Sequence, residues 1–194
     1  DPSQHINRIT DLLIEDGVVA EIGDKLTGHF DQVVEARGLL VTPGLVDMHV
    51  HLRDPGFTEK EDIYTGCNTA VTGGITSLLC MPNTKPVTDN EETIRYIQET
   101  AARTRAHVYV CAGATRGISG QELGDYQMYA SLGVRAVSDD GRPVENDEMM
   151  ERVLVEADRQ GLLVTSHCED LKIVNGGIIN KGKVSEALQV RGID

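Results

Sequence analysis

From Leu39 onward, apolar runs of strand length alternate with helix-length stretches, and no other property of the chain restricts its fold so tightly. The strand candidates are 45–51, 76–81, 108–112, 134–139 and 162–167; the helix candidates between them are 59–72, 90–102, 120–132 and 146–160. Strands separated by helices pair in parallel, because the chain must cross back over the sheet before it can run the same way again. Punctuation supports the helices. Thr58 followed by Glu61 reads as a capping box, Asp89-Asn90 precedes an acidic first turn, and Gly73-Gly74, Gly133 and Gly161 stand where helices stop. A complete (β/α)8 barrel takes about 250 residues. A chain of 194 residues is therefore expected to hold about the first five βα units, or else to form an open sheet. The start at Asp1-Pro2 and the end at Arg191-Gly192-Ile193-Asp194 favour a piece of a longer polypeptide.

Residues 1–40 read differently. Ile9 to Ile14 and Val18 to Ile22 flank Asp16-Gly17, a strong hairpin signal, and a further short strand is expected near Val33 to Ala36. Such a β unit is too small to be stable by itself. Domains are thus expected at 1–40 and 41–194.

Composition excludes some functions. With 18 basic residues against 31 acidic ones, a net charge of -13 argues against a nucleic-acid partner, which needs clustered Lys and Arg. No apolar run approaches the roughly 20 residues of a membrane span, and the amino end lacks a signal pattern, so the expected location is the cytoplasm. The four cysteines, Cys67, Cys80, Cys111 and Cys168, are too widely spaced for a Cys-x-x-Cys site. Cys168 adjoins His167. Neighbours on an extended strand face opposite ways, which disfavours a thiol–imidazole pair.

Chemistry in a parallel βα array gathers at the carboxyl ends of the strands. The first end carries Asp47-Met48-His49-Val50-His51-Leu52-Arg53, where alternation puts Asp47, His49, His51 and by extension Arg53 on one face and Val46, Met48 and Val50 on the other. The second runs into Met81-Pro82-Asn83-Thr84, the fourth into Ser138-Asp139-Asp140-Gly141, and the fifth into His167-Cys168-Glu169-Asp170. Three imidazoles and a carboxylate suit a borderline metal such as zinc with positions left for water. Parity selects Asp140, which shares a face with Ala136 and Ser138, whereas Asp139 shares one with Arg135; Asp139 is then a helix cap or a support behind the ligands. Arg53 could grip a substrate carboxylate bidentately, or pair internally with Asp54 or Glu61. Glu169 and Asp170 could orient an imidazole or simply lie in a solvated loop. His5, His29 and His107, in turns or at a strand start, are expected to be structural or surface residues, and Tyr64 and Cys67 to be packing residues.

These motifs carry a resemblance. Pro43 to Gly56, Cys80-Met81-Pro82-Asn83-Thr84, Ser138-Asp139-Asp140-Gly141 and Ser166-His167-Cys168-Glu169-Asp170 resemble, in order and spacing, the amidohydrolase superfamily and within it the bacterial class I dihydroorotases. The resemblance implies a (β/α)8 TIM-like barrel beside a small β-sandwich domain. It also implies reversible cyclisation of N-carbamoyl-L-aspartate to dihydroorotate in pyrimidine biosynthesis. By position, His49, His51, Asp140 and His167 would be ligands to one or two zinc ions, and Arg53 with Asn83 would bind the substrate carboxylate. Many amidohydrolases bridge two metals with a carboxylated lysine on strand four, but residues 133–140 contain no lysine, so an aspartate is expected there. The family's general-base aspartate would lie beyond Asp194, and the isolated piece is expected to be inactive. Competing readings are an allantoinase or hydantoinase, and a catalytically inactive partner of aspartate transcarbamoylase; the resemblance also allows a homodimer.

Overall fold

The computed structural model describes residues 2–193, in two compact units, 1–43 and 44–194. In the first, β1 (Asp11–Glu15) and β2 (Val18–Gly23) pair antiparallel. Asp16 (φ 50°) and Gly17 (φ 77°) turn the chain between them with two left-handed residues, as the Asp-Gly signal requires. The third strand expected near Val33 does not form. Val33 and Val34 are 77% and 74% exposed and pair with nothing in this unit, so the local apolar pattern has no ladder to join.

The second unit is built on five parallel strands: β3 (Leu45–Val50), β4 (Ile75–Cys80), β5 (His107–Gly113), β6 (Ala136–Ser138) and β7 (Leu163–Val164). Their order in the sheet is their order in the chain. Parallel crossovers are almost always right-handed, so an unbroken sequential order puts every connecting helix on the same face and curls the sheet into a barrel arc. The helices are α1 (Ile63–Thr72), α2 (Glu91–Ala101), α3 (Tyr126–Ser131) and α4 (Asp147–Gln160). Two more short ones, α5 (Leu171–Val174) and α6 (Lys183–Leu188), follow, with β8 (Ile179–Asn180) and β9 (Gly192–Ile193) pairing in parallel. No described helix is long and apolar enough to cross a membrane.

Buried side chains form a cluster on each face. Leu78, Cys80, Val110, Ala112 and Val137 pack against Ile63, Cys67, Ile94, Ile97, Tyr129 and Val153 of the helices. On the inner face Leu79, Met81, Cys111 and Ala136 form a smaller cluster. Successive residues of β4 and β6 thus alternate between the two layers. Val50 joins the helix layer as expected, but Val46 and Met48 are 65% and 57% exposed. They belong to a strand at the edge of the five-stranded sheet, with a neighbour on one side only. Of the two helix residues expected in packing, Cys67 is buried and Tyr64 is 43% exposed.

Local chemistry explains the helix starts. α2 and α4 begin where expected, with Asn90 and Asn146 accepting from Thr93 and Met149 backbone N–H groups. α1 starts later than the Thr58 capping box implies, because Asp62 takes the cap: its carboxylate accepts from Thr65 N at 2.8 Å, and aspartate is a better N-cap than threonine. α3 is the larger departure. It was expected from Gly120 but begins at Tyr126, capped by Asp125. The residues before it are diverted into a loop that closes on the end of β6. Thr115 donates its N–H to Asp139 Oδ1 at 2.8 Å, its hydroxyl bonds Asp139 Oδ2, and Gly120 N donates to Thr115 Oγ1 at 2.8 Å.

Asp139 is 4% exposed, and burial pushes its carboxyl up while the Thr115 donors oppose the shift. Removing the hydroxyl leaves a buried carboxylate oxygen with one fewer partner. Thr115→Val is expected to cost about 1–3 kcal/mol of folding stability, and Thr115→Ser far less, as measured by chemical denaturation; equal stability of the two variants would contradict this.

Candidate metal centre

The carboxyl ends of β3, β4, β6 and β7 meet at one rim, and the carboxylate of Asp140, just past β6, is the point on which side chains converge. Asp140 is 8% exposed. His49 Nε2 lies 3.3 Å from its Oδ1, His51 Nε2 lies 3.4 Å from its Oδ2, and Asn83 Nδ2 donates to Oδ2 at 3.0 Å. The same amide reaches the other way, with Asn83 Oδ1 2.9 Å from His51 Nδ1. The rings of His49 and His51 meet edge to face, centroids 5.2 Å apart.

His49, His51 and Asp140 offer ligand atoms that all lie within 4.8 Å of one another. Two imidazole nitrogens and a nearly buried carboxylate aimed at a common point are a donor set that fits zinc or a similar divalent ion. His167 stands at the margin. Its Nδ1 is 3.8 Å from Asp140 Oδ1, while its Nε2 is 3.2 Å from Glu169 Oε2. Glu169 is therefore engaged with an imidazole, whereas Asp170 caps α5 by accepting from Lys172 and Ile173.

Neighbouring aspartates have separate environments. Asp139 points at Thr115 and is occupied there; Asp140 points into the rim. The parity of β6 predicts this division: Ala136 packs in the inner cluster and Val137 in the helix layer, so alternation carries Asp140 to the inner side.

Arg53 departs from the simple alternation. β3 ends at Val50, and Arg53 adopts a left-handed backbone (φ 60°) with its carbonyl accepting from Phe57 N at 2.9 Å. A non-glycine residue held in that region is uncommon and costs backbone energy. The internal ion pair is not formed: Asp54 accepts from Tyr96 Oη at 2.9 Å, Glu61 accepts from Asp62 N, and among the described residues nothing engages the Arg53 guanidinium. The loop carrying Arg53 is fastened to the one carrying Asn83. Lys85 N donates to Pro55 O at 2.9 Å, and a Cβ at Gly56 (φ 99°) would run into the Lys85 carbonyl, so only glycine fits this approach.

The remaining candidates are placed without surprises. Cys67, Cys80 and Cys111 are buried and unpaired, and burial raises all three thiols, Cys80 to about 12, which makes them poor nucleophiles. Cys168 is exposed and bonds Ser166 O. His107, at the start of β5, is exposed. Two elements of the site carry only weak sequence signals: Thr115, which holds Asp139, and the bridging geometry of Asn83.

The family model described as dihydro-orotase-like matches residues 38–194. Curated relatives named dihydroorotase include one from Geobacter sulfurreducens, 48% identical over the whole chain, and one from Acetivibrio thermocellus, 43% identical over the whole chain. The chain spans 46% of the length of each. Among solved structures, the L-hydantoinase (dihydropyrimidinase) from Arthrobacter aurescens superposes with a TM-score of 0.74 at 22% identity, covering 86% of this chain and 38% of that one. At that identity the likeness speaks for the fold alone: the five-stranded arc is part of a (β/α)8-type barrel. With a family match over most of its length and relatives above 40% identity, the chain belongs to the dihydroorotase-like family.

Proposed function

We propose that the protein carrying this chain is a dihydroorotase, a zinc-dependent cyclic amide hydrolase that interconverts N-carbamoyl-L-aspartate and dihydroorotate in pyrimidine biosynthesis. The observation that carries this reading is the convergence of His49 and His51 on the Asp140 carboxylate, in a chain whose relatives bear the name dihydroorotase. Residues 41–194 are then the amino-terminal part of the hydrolase barrel, and residues 1–40 part of a small β-sandwich domain. The buried, unpaired cysteines fit a reducing compartment, in keeping with the cytoplasm.

His49, His51, Asp140 and His167 would hold the metal. Zinc bound there supplies Lewis acidity, polarising a carbonyl oxygen and lowering the pKa of water to near neutrality. The chain's own residues do the rest of the positioning. Arg53, with its guanidinium uncommitted, binds the substrate carboxylate as a planar two-pronged donor. Asn83 keeps one amide hydrogen beyond the one given to Asp140 and directs it at the same carboxylate. Glu169 accepts from His167 Nε2 and so leaves Nδ1 facing Asp140. In the hydrolytic direction water adds to the ring amide carbon, the carbon–nitrogen bond breaks, and the departing nitrogen takes a proton; in cyclisation each step reverses. The general base for these transfers is assigned to an aspartate beyond Asp194, so residues 1–194 form a binding half-site without turnover of their own.

Three outcomes follow. Dihydroorotate hydrolysis is expected only from a chain extended to the length of its relatives, and turnover by residues 1–194 alone would sink the assignment of the base. Stripping the extended protein with a chelator is expected to abolish activity and added zinc to restore it. Arg53→Ala is expected to lower kcat/KM for dihydroorotate by about 100-fold or more, the loss of a charge-assisted pair to a buried carboxylate. Its activity on cyclic ureides without a carboxylate should be unaffected; an equal loss on both substrate classes would favour the hydantoinase reading.

A further inference from the structure

The contacts of Asn83 carry more information than a substrate-binding role requires. An ionised carboxylate accepts hydrogen bonds and donates none. The Asn83 atom 3.0 Å from Asp140 Oδ2 is therefore the amide nitrogen, and the atom 2.9 Å from His51 Nδ1 is the carbonyl oxygen. A carbonyl only accepts, so His51 Nδ1 must donate. That leaves Nε2, which faces Asp140 Oδ2 at 3.4 Å, as the ring atom able to present an electron pair. Two electron-rich atoms at that separation leave a place for a cation between them and around them. One amide thus contacts both the Nδ1 side of the His51 ring and a carboxylate 57 residues further along the chain.

Asn83 can do this because its own loop is held. Thr84 N and Thr88 N both donate to Pro82 O, at 2.8 and 3.1 Å. Thr84 Oγ1 donates to Pro86 O at 2.7 Å and lies 2.8 Å from Thr88 Oγ1. Thr84 and Thr88 are 7% and 0% exposed, so these bonds compete little with water. Lys85 N ties the loop across to Pro55, as described above.

We infer that Asn83 is a positioning residue that fixes His51 as the Nδ1–H tautomer and holds Asp140 against it, so that the His51 Nε2 electron pair is presented as a ligand before any ion arrives. The consequence for metal affinity rests on the proposed reading of His51 and Asp140 as zinc ligands; the tautomer itself does not. Recognition of substrate and preparation of the metal site would then share one side chain, through different hydrogens of the same amide.

The test is a long-range proton–nitrogen correlation spectrum of the metal-free protein labelled at its histidines, together with zinc affinity measured by competition with a chromophoric chelator. Wild type is expected to show His51 in the Nδ1–H form. Asn83→Ala should move it toward the Nε2–H form and weaken zinc binding about 10- to 100-fold, the usual effect of removing a group that orients a metal-bound histidine. Asn83→Asp keeps an acceptor for His51 Nδ1 but replaces the donor to Asp140 with a second carboxylate, so it should keep the Nδ1–H form while no longer holding Asp140; unchanged signals from His5, His29 and His107 provide the control for the fold. A wild-type His51 in the Nε2–H form, or an Asn83→Ala protein with tautomer and affinity unchanged, would overturn the inference. A wild type that binds no zinc but shows the tautomer and its dependence on Asn83 would count against the metal reading and for the positioning role.

Discussion

β6 is only three residues long and is buried on both faces, and the site hangs on the alternation this imposes. Ala136 faces the inner side, Val137 faces the helices, and both they and Ser138 are inaccessible. A strand clamped in this way cannot slip by one residue without driving apolar groups into the wrong layer. The two carboxylates that follow it are consequently sent to different places. Asp139 is received by Thr115, and Asp140 emerges at the rim where the other strand ends meet. Reversing that register would leave Asp139 without its donors and remove Asp140 from the histidines at once.

Burying two adjacent carboxylates is costly, and the surrounding sequence is arranged to offset it. A buried carboxylate without partners is among the more destabilising features a fold can hold. For Asp139 the answer is a loop rather than an α-helix: between β5 and α3 the chain makes only a single 3-10 turn, Arg116–Ile118, and Thr115 can present both N–H and hydroxyl. For Asp140 it is an amide donor from the next rim loop but one, together with a ring of imidazoles that a divalent ion can unite. Both solutions depend on loops at the carboxyl end of the sheet, where a barrel keeps its variable chemistry, while the helix layer supplies rigidity.

Much of this was legible in the order of residues, for physical reasons that also mark where legibility stops. Five apolar runs and the helices between them specify a sequential parallel sheet, because periodicity and crossover geometry are local and directional. The division between Asp140, directed at the rim, and Asp139, directed at Thr115, follows from the same two-residue period. Four features escaped. The late start of α1 at Asp62 reflects competition between two nearby caps, of which the local pattern marks the weaker. The short α3 reflects a tertiary demand, the satisfaction of Asp139, which no local pattern records. Alternation along β3 would carry on to Arg53, yet the strand ends three residues earlier and Arg53 turns to a left-handed backbone. The Val33 run had the composition of a strand but no partner, and composition alone does not supply one.

The central claim is that the rim around Asp140 is a metal site made of imidazole nitrogen and carboxylate oxygen. X-ray absorption at the zinc edge, on the protein loaded with one equivalent of zinc, examines that directly. The account predicts a first shell of nitrogen and oxygen scatterers at about 2.0–2.2 Å with the outer-shell pattern of imidazole rings, and its loss on substitution of Asp140 by alanine. A sulfur scatterer at about 2.3 Å, or a spectrum indifferent to Asp140, would place the metal elsewhere and contradict it.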